Sequence, residues 1–122
     1  MDDDRVREFE ERLWTGGGDV YRRFVAEDCL MVLPEMPFVM SGEDAVRAVE
    51  ETPRWSGVEL RDLRIRRPRE GLIVIAYEAA AERGEHSYRA YCTSTYLRLG
   101  HEEWRVVQHQ QTVPAIAKPD SR

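Results

Sequence analysis

Trp104-Arg105-Val106-Val107-Gln108-His109-Gln110-Gln111-Thr112 reads as a strand, opened by aromatic and β-branched residues and preceded by a break at Gly100-His101-Glu102. Upstream, residues 58–66, 72–82 and 87–99 have the same character, and Pro68-Arg69-Glu70-Gly71 and Arg83-Gly84-Glu85 join them as hairpins. Earlier in the chain the apolar period changes from two to 3.6. Val6, Phe9 and Leu13 recur at helical spacing with Trp14 beside them, after an acidic start that can cap a helix, and Gly16-Gly17-Gly18 stops it. Asp19 is placed to cap a short second helix that carries Tyr21, Phe24 and Val25 inward. Cys29-Leu30-Met31-Val32-Leu33 then reads as a strand closed by Pro34. Ser41-Gly42-Glu43-Asp44 has the form of a capping box, with the aspartate reaching back, and opens a third helix through Ala45, Val46 and Val49 that Pro53 ends.

Helices first and antiparallel strands after is an α+β order, with three helices in the N-terminal half packed on one face of a sheet. Long, strongly twisted strands curl, so the expected architecture is a cone-shaped barrel with a hollow under the helices. A chain of 122 residues suits one core, placed here at residues 1–113, with 114–122 as a frayed C-terminal tail.

A composition of 42% hydrophobic and 34% charged residues supplies the apolar material that disordered chains lack. The formal charge of −5 argues against nucleic acid, which draws on a clustered positive field. Arg61, Arg64, Arg66, Arg67 and Arg69 read as a solvated strand face, since no stacking aromatics lie among them. Cys29 and Cys92 read as small buried thiols, with no second Cys or His at zinc spacing, so neither metal nor disulfide is expected. The glycine triplet lacks the preceding strand and following Lys-Ser/Thr of a phosphate cradle, and no cofactor is expected. The acidic start and the short apolar runs give no membrane segment and a cytoplasmic expectation.

Leu13-Trp14, Asp28 leading into Met31-Val32-Leu33-Pro34, Pro53-Arg54-Trp55, Tyr77, Tyr88-Arg89-Ala90 and the closing 104–112 run together carry a family pattern. On these residues the chain resembles the nuclear-transport-factor-2-like superfamily of cystatin-like architecture, in its SnoaL-like, domain-of-unknown-function-4440 branch, over nearly its whole length. The resemblance implies a curved sheet with a pocket beneath the helices and a homodimer through the outer sheet face. Its members include isomerases, cyclases, dehydratases and non-catalytic association domains, so it implies no single activity. Isomerase-like members carry a general-base aspartate just before the proline that closes the first strand; Leu33 stands there and cannot move a proton. Glu35 reads as an exposed loop acid between Pro34 and Pro37.

His109 is the catalytic candidate, because a mid-strand histidine with an ordinary pKa near ~6.5 suits acid–base work. No carboxylate is visibly assigned to orient it, and it reads equally as a hydrogen-bonded structural residue. Strand alternation puts His109 with Val107 and Gln111, and this face is taken as the inner one unless a bulge intervenes. Ser94 and Tyr96 are taken inward by the same rule. Trp14, Met31, Met36, Met40, Trp55 and Tyr77 are the ring and thioether candidates for the pocket wall, or else plain core.

These readings give a protein that binds a small apolar or carbonyl-containing molecule in a mostly apolar pocket, with cofactor-independent isomerisation, cyclisation or dehydration as the candidate chemistry. The alternative is a non-catalytic dimeric association or accessory domain in which the same polar residues satisfy one another.

Overall fold

A computed structural model describes residues 1–115. The elements run α1 (Asp3–Thr15), α2 (Gly18–Phe24), β1 (Val25–Val32), β2 (Val39–Ser41), α3 (Gly42–Glu51), β3 (Gly57–Arg69), β4 (Leu72–Arg83), β5 (His86–Gly100) and β6 (Glu103–Thr112). Local chemistry accounts for the helix ends. The Asp2 carboxylate accepts the Arg5 amide at 2.8 Å, and the Gly16 amide returns to the Arg12 carbonyl at 2.7 Å. Ser41 Oγ accepts the Asp44 amide at 3.1 Å, but the Asp44 carboxylate pairs with Arg47 and completes no box. Asp19 does not cap α2: the N-cap is Gly17, and Asp19 lies in the first turn, paired with Arg22 at 3.2 Å. Val25 likewise belongs to β1 and not to the helix.

The six strands are ordered β2-β1-β6-β5-β4-β3 in one open sheet, and with the three helices they make the cone-like α+β fold expected from the sequence, except that not every strand pair is antiparallel. The sheet is mixed, because β1 pairs in parallel with β6 and places Met31 opposite His109. Two helices precede β1, and the chain must cross from β2 through α3 to the far edge before returning through three hairpin-linked strands. The last of these strands arrives beside β1 in the same direction. Gly71 and Gly84, at φ +80° and +59°, take the left-handed positions of the tight β3–β4 and β4–β5 turns, which side-chain-bearing residues rarely adopt.

Alternation along the strands aims Ile73, Ile75, Tyr77, Ala79 and Ala81 of β4 and Ala90, Cys92, Ser94 and Tyr96 of β5 at the helices, and all are buried. Val6, Phe9, Leu13 and Trp14 of α1 close over them. Each fully buried aliphatic or aromatic side chain contributes roughly 1.5–3 kcal/mol. In β6 the alternation breaks. The register with β5 slips between Tyr96–Val106 and Thr95–Gln108, so Val107 is a bulged residue. Val106, not Val107, therefore shares the inner face with His109: Val106 and His109 are buried and Val107 is only partly so. The outer face carries Thr93, Thr95, Gln108, Gln110 and Thr112, linked by Thr95–Gln108, Gln108–Thr93 and Gln110–Thr112 hydrogen bonds. Among the described residues no helix is long and apolar enough to cross a membrane. Most of the expected tail, residues 116–122, lies outside the described residues.

Candidate functional site

A carboxylate that the sequence hides among surface acids organises the interior. Glu10 sits on α1 one position after Phe9 and is wholly buried, at 0% exposure. Helical spacing puts it four residues after Val6 and three before Leu13, on the apolar stripe and not on the acidic one. Three hydroxyls converge on it. Tyr77 Oη donates to Oε2 at 2.5 Å, Ser94 Oγ donates to Oε2 at 2.6 Å, and Tyr96 Oη donates to Oε1. Every hydroxyl points its proton at the carboxylate, as an acceptor-only group requires. Tyr77 in turn accepts the Trp14 indole N–H at 2.9 Å, so no buried side-chain polar atom among the described residues lacks a partner. Burial, and then the Glu10 charge, push both phenols well above their ordinary pKa.

From this cluster a hydrogen-bond chain runs outward. Ser94 spends its only proton on Glu10, so it receives the Nδ1 proton of His109, 2.7 Å away. His109 Nδ1 itself stands 3.5 Å from Glu10 Oε2. With Nδ1 protonated, Nε2 carries the lone pair, and the Gln111 amide nitrogen meets it at 3.1 Å. The Gln111 carbonyl accepts from Tyr88 Oη at 2.9 Å, which sets the orientation of the amide. The Trp14 ring meets the imidazole edge-on, with centroids 6.3 Å apart. Burial holds the His109 pKa below 6.5, opposed by the Glu10 charge and by a hydrogen bond that the ring gives to the Thr93 backbone, so near neutral pH the ring is a neutral base.

His109 and Gln111 emerge into a cavity of about 600 Å³ between the three helices, the loops after β1 and α3, and the sheet at Met31, Met40, Arg83 and Tyr88. Trp14, Met31, Met36, Met40, Trp55 and Tyr88 line it with Leu33 and Glu35. Its size and mostly apolar wall are those of a small-molecule site. Of the pocket residues expected from sequence, Trp14, Met31, Met40, Trp55, His109 and Gln111 meet here. Tyr77, Ser94 and Tyr96 do not line the wall; they lie behind it, held by Glu10, because the inner face of β4 and β5 is filled by α1. A second hollow of about 540 Å³ lies on the outer sheet face between Asp62, Arg64, Tyr91 and Gln110, away from the buried chain of donors. Cys29 and Cys92 are buried free thiols whose pKa burial pushes up to about 12. Among the described residues no group of three or more His, Cys, Asp or Glu could hold a metal ion.

The open six-stranded sheet with three helices on one face recurs in solved structures. A nuclear-transport-factor-2-like protein from Cytophaga hutchinsonii superposes with a TM-score of 0.75, at 17% identity, over 93% of this chain and 100% of that one. The chain has the nuclear-transport-factor-2-like fold. Others with this fold are a proposed ketosteroid isomerase from Parabacteroides distasonis (TM-score 0.76, 12% identity, 90% of this chain and 86% of that one) and the association domain of the C. elegans calmodulin-dependent kinase II (0.72, 12%, 90% and 91%). No family model and no curated protein matches the sequence. Identities this low establish the fold and leave the chemistry to the site itself.

Proposed function

We propose that this protein binds a small apolar or carbonyl-containing molecule in the 600 Å³ cavity and that His109 Nε2 accepts a proton from it, in a cofactor-independent isomerisation, cyclisation or dehydration. The observation that carries this reading is the buried Glu10–Ser94–His109 chain, which ends on a lone pair at the cavity wall. A ligand C–H or O–H placed against Nε2, with Gln111 swung aside, transfers its proton there and leaves the electron pair on the ligand. The imidazolium so formed is stabilised by the carboxylate 3.5 Å from Nδ1, and Ser94 keeps the ring in the required tautomer. A histidine kept neutral by burial is poised for this near neutral pH, and Leu33 is no obstacle, because the base enters from β6 and not from the end of β1.

The experiment is deuterium exchange from D2O into the α-carbon of 2-tetralone, a flat enolisable ketone. Exchange above background that His109→Ala removes supports the reading; equal exchange by both proteins contradicts it.

The alternative is an accessory or association domain, dimeric through the outer sheet face. Exposed Leu30, Val32, Tyr91, Leu97 and Leu99 favour such a contact. Sedimentation at micromolar concentration separates the two: a dimer without any ligand response favours this alternative. The SnoaL-like branch and a cytoplasmic location are proposed on the sequence pattern alone.

A further inference from the structure

The cavity wall holds two cations whose charge no carboxylate of the described residues answers. Arg54 and Arg83 both line it and pair with no carboxylate of the described residues, and what sets them apart from the other unpaired arginines is that they face the cavity. Both guanidinium groups are held by contacts that leave donors unused. Arg83 lies 4.9 Å above the Trp55 ring, Trp55 stacks on Tyr88 at 5.7 Å and 15°, and a single N–H of Arg83 reaches the Pro53 carbonyl at 3.1 Å. Arg54 gives Nε to the Gly16 carbonyl and Nη2 to the Leu13 carbonyl, each at 2.6 Å, and its Nη1 has no partner among the described residues. The only acid of the lining, Glu35, is exposed on the loop after β1.

We propose that the cavity's ligand is a planar organic acid, its carboxylate received by Arg83 and Arg54 and its flat body lying against Trp55, Trp14 and the methionines. This rests on the ligand-binding reading above and adds the chemical class. Three features converge on it. A pre-stacked, half-buried guanidinium presents a rigid edge that suits a carboxylate fork and forfeits little side-chain freedom on binding. The Arg83–Trp55–Tyr88 stack extends as a flat wall beside that edge, which suits a ring more than a branched aliphatic chain. Finally, an anion placed at His109 would be repelled by the Glu10 carboxylate 3.5 Å from Nδ1, which leaves the arginines as the favourable seat for a charged group. The ligand therefore enters with its neutral end toward His109 and Gln111 and its charged end at the mouth.

The test compares 2-naphthoate with 2-naphthamide, a neutral compound of the same shape, by isothermal titration against the wild-type chain and against Arg83→Gln. The expected result is at least about tenfold tighter binding of the acid by wild type, with the preference falling to within about twofold in Arg83→Gln and the melting temperature of the two proteins alike. Addition of salt weakens the acid's binding and not the amide's. Equal binding of acid and amide by wild type overturns the acid class and leaves the pocket standing. An acid preference that persists in Arg83→Gln overturns the assigned seat. Binding of neither compound at about 1 mM overturns the pocket reading and this inference with it.

Discussion

Glu10 Oε2 and His109 Nδ1 stand 3.5 Å apart, one on the first helix and the other on the last strand, with Ser94 bridging them at 2.6 and 2.7 Å. A buried carboxylate next to a buried imidazole is costly unless every lone pair is used, and here three hydroxyls and one ring nitrogen surround it. Replacing the carboxylate by an amide, in Glu10→Gln, puts an N–H pair where hydroxyl donors already point. Urea unfolding should show a loss of about 2–4 kcal/mol, since breaking a buried charged cluster on one side costs at the upper end of the usual range.

Ser94→Ala separates architecture from chemistry. Glu10 keeps Tyr77 and Tyr96, so the stability loss should be only about 1 kcal/mol, while His109 loses the acceptor that fixes its tautomer. Exchange into 2-tetralone should fall by about 10²-fold, the lower end of what a positioned general base contributes. A fall in stability without a fall in rate would assign Ser94 to packing alone.

The pH dependence has a definite sign. His109 titrates below 6.5 when folded and near 6.5 when unfolded, so between those values the unfolded chain binds more protons. Stability is therefore full above about pH 6.5 and declines as pH falls toward the folded value. Urea midpoints at pH 7.5, 6.5 and 5.5 should decline for wild type and decline less for His109→Gln, which has no ring to protonate.

Cys29 and Cys92 test the solidity of the region behind the cavity. With both thiols pushed up to about 12 by burial, neither is a thiolate at pH 8, and disulfide reagents should modify them only as fast as the chain opens. Rapid labelling of either cysteine in the native protein, before any loss of the folded signal, would show that β1 or β5 is not packed as described.

The sequence carried the order of every element but the short β2 because caps and periodicity are local: Asp2, Gly16 and Ser41 end their helices by contacts within four residues. The face of His109 came from alternation, but its apolar neighbour did not. Val107 is bulged and Val106 turns inward, and a one-residue slip between β5 and β6 leaves no mark in the composition of β6. The parallel β1–β6 pairing was also illegible, since it joins segments some eighty residues apart whose residues look the same in either direction. Glu10 was legible in principle. It lies between Phe9 and Leu13 on the stripe that Val6 begins, and an acid on an apolar stripe asks for buried partners. Its partners, Tyr77, Ser94 and Tyr96, read from sequence as ligand wall, because strand parity tells inside from outside and not which inner residues the helix covers.

The claim on which the rest depends is that His109 presents an unprotonated Nε2 to the cavity. Nitrogen-15 NMR of the imidazole at pH 7, without and with 2-tetralone, measures this directly. The neutral Nδ1–H tautomer is expected in the free protein, with a shift confined to Nε2 when the ketone is added. A ring protonated at Nε2, or an Nε2 resonance that the ketone leaves unmoved, would contradict it.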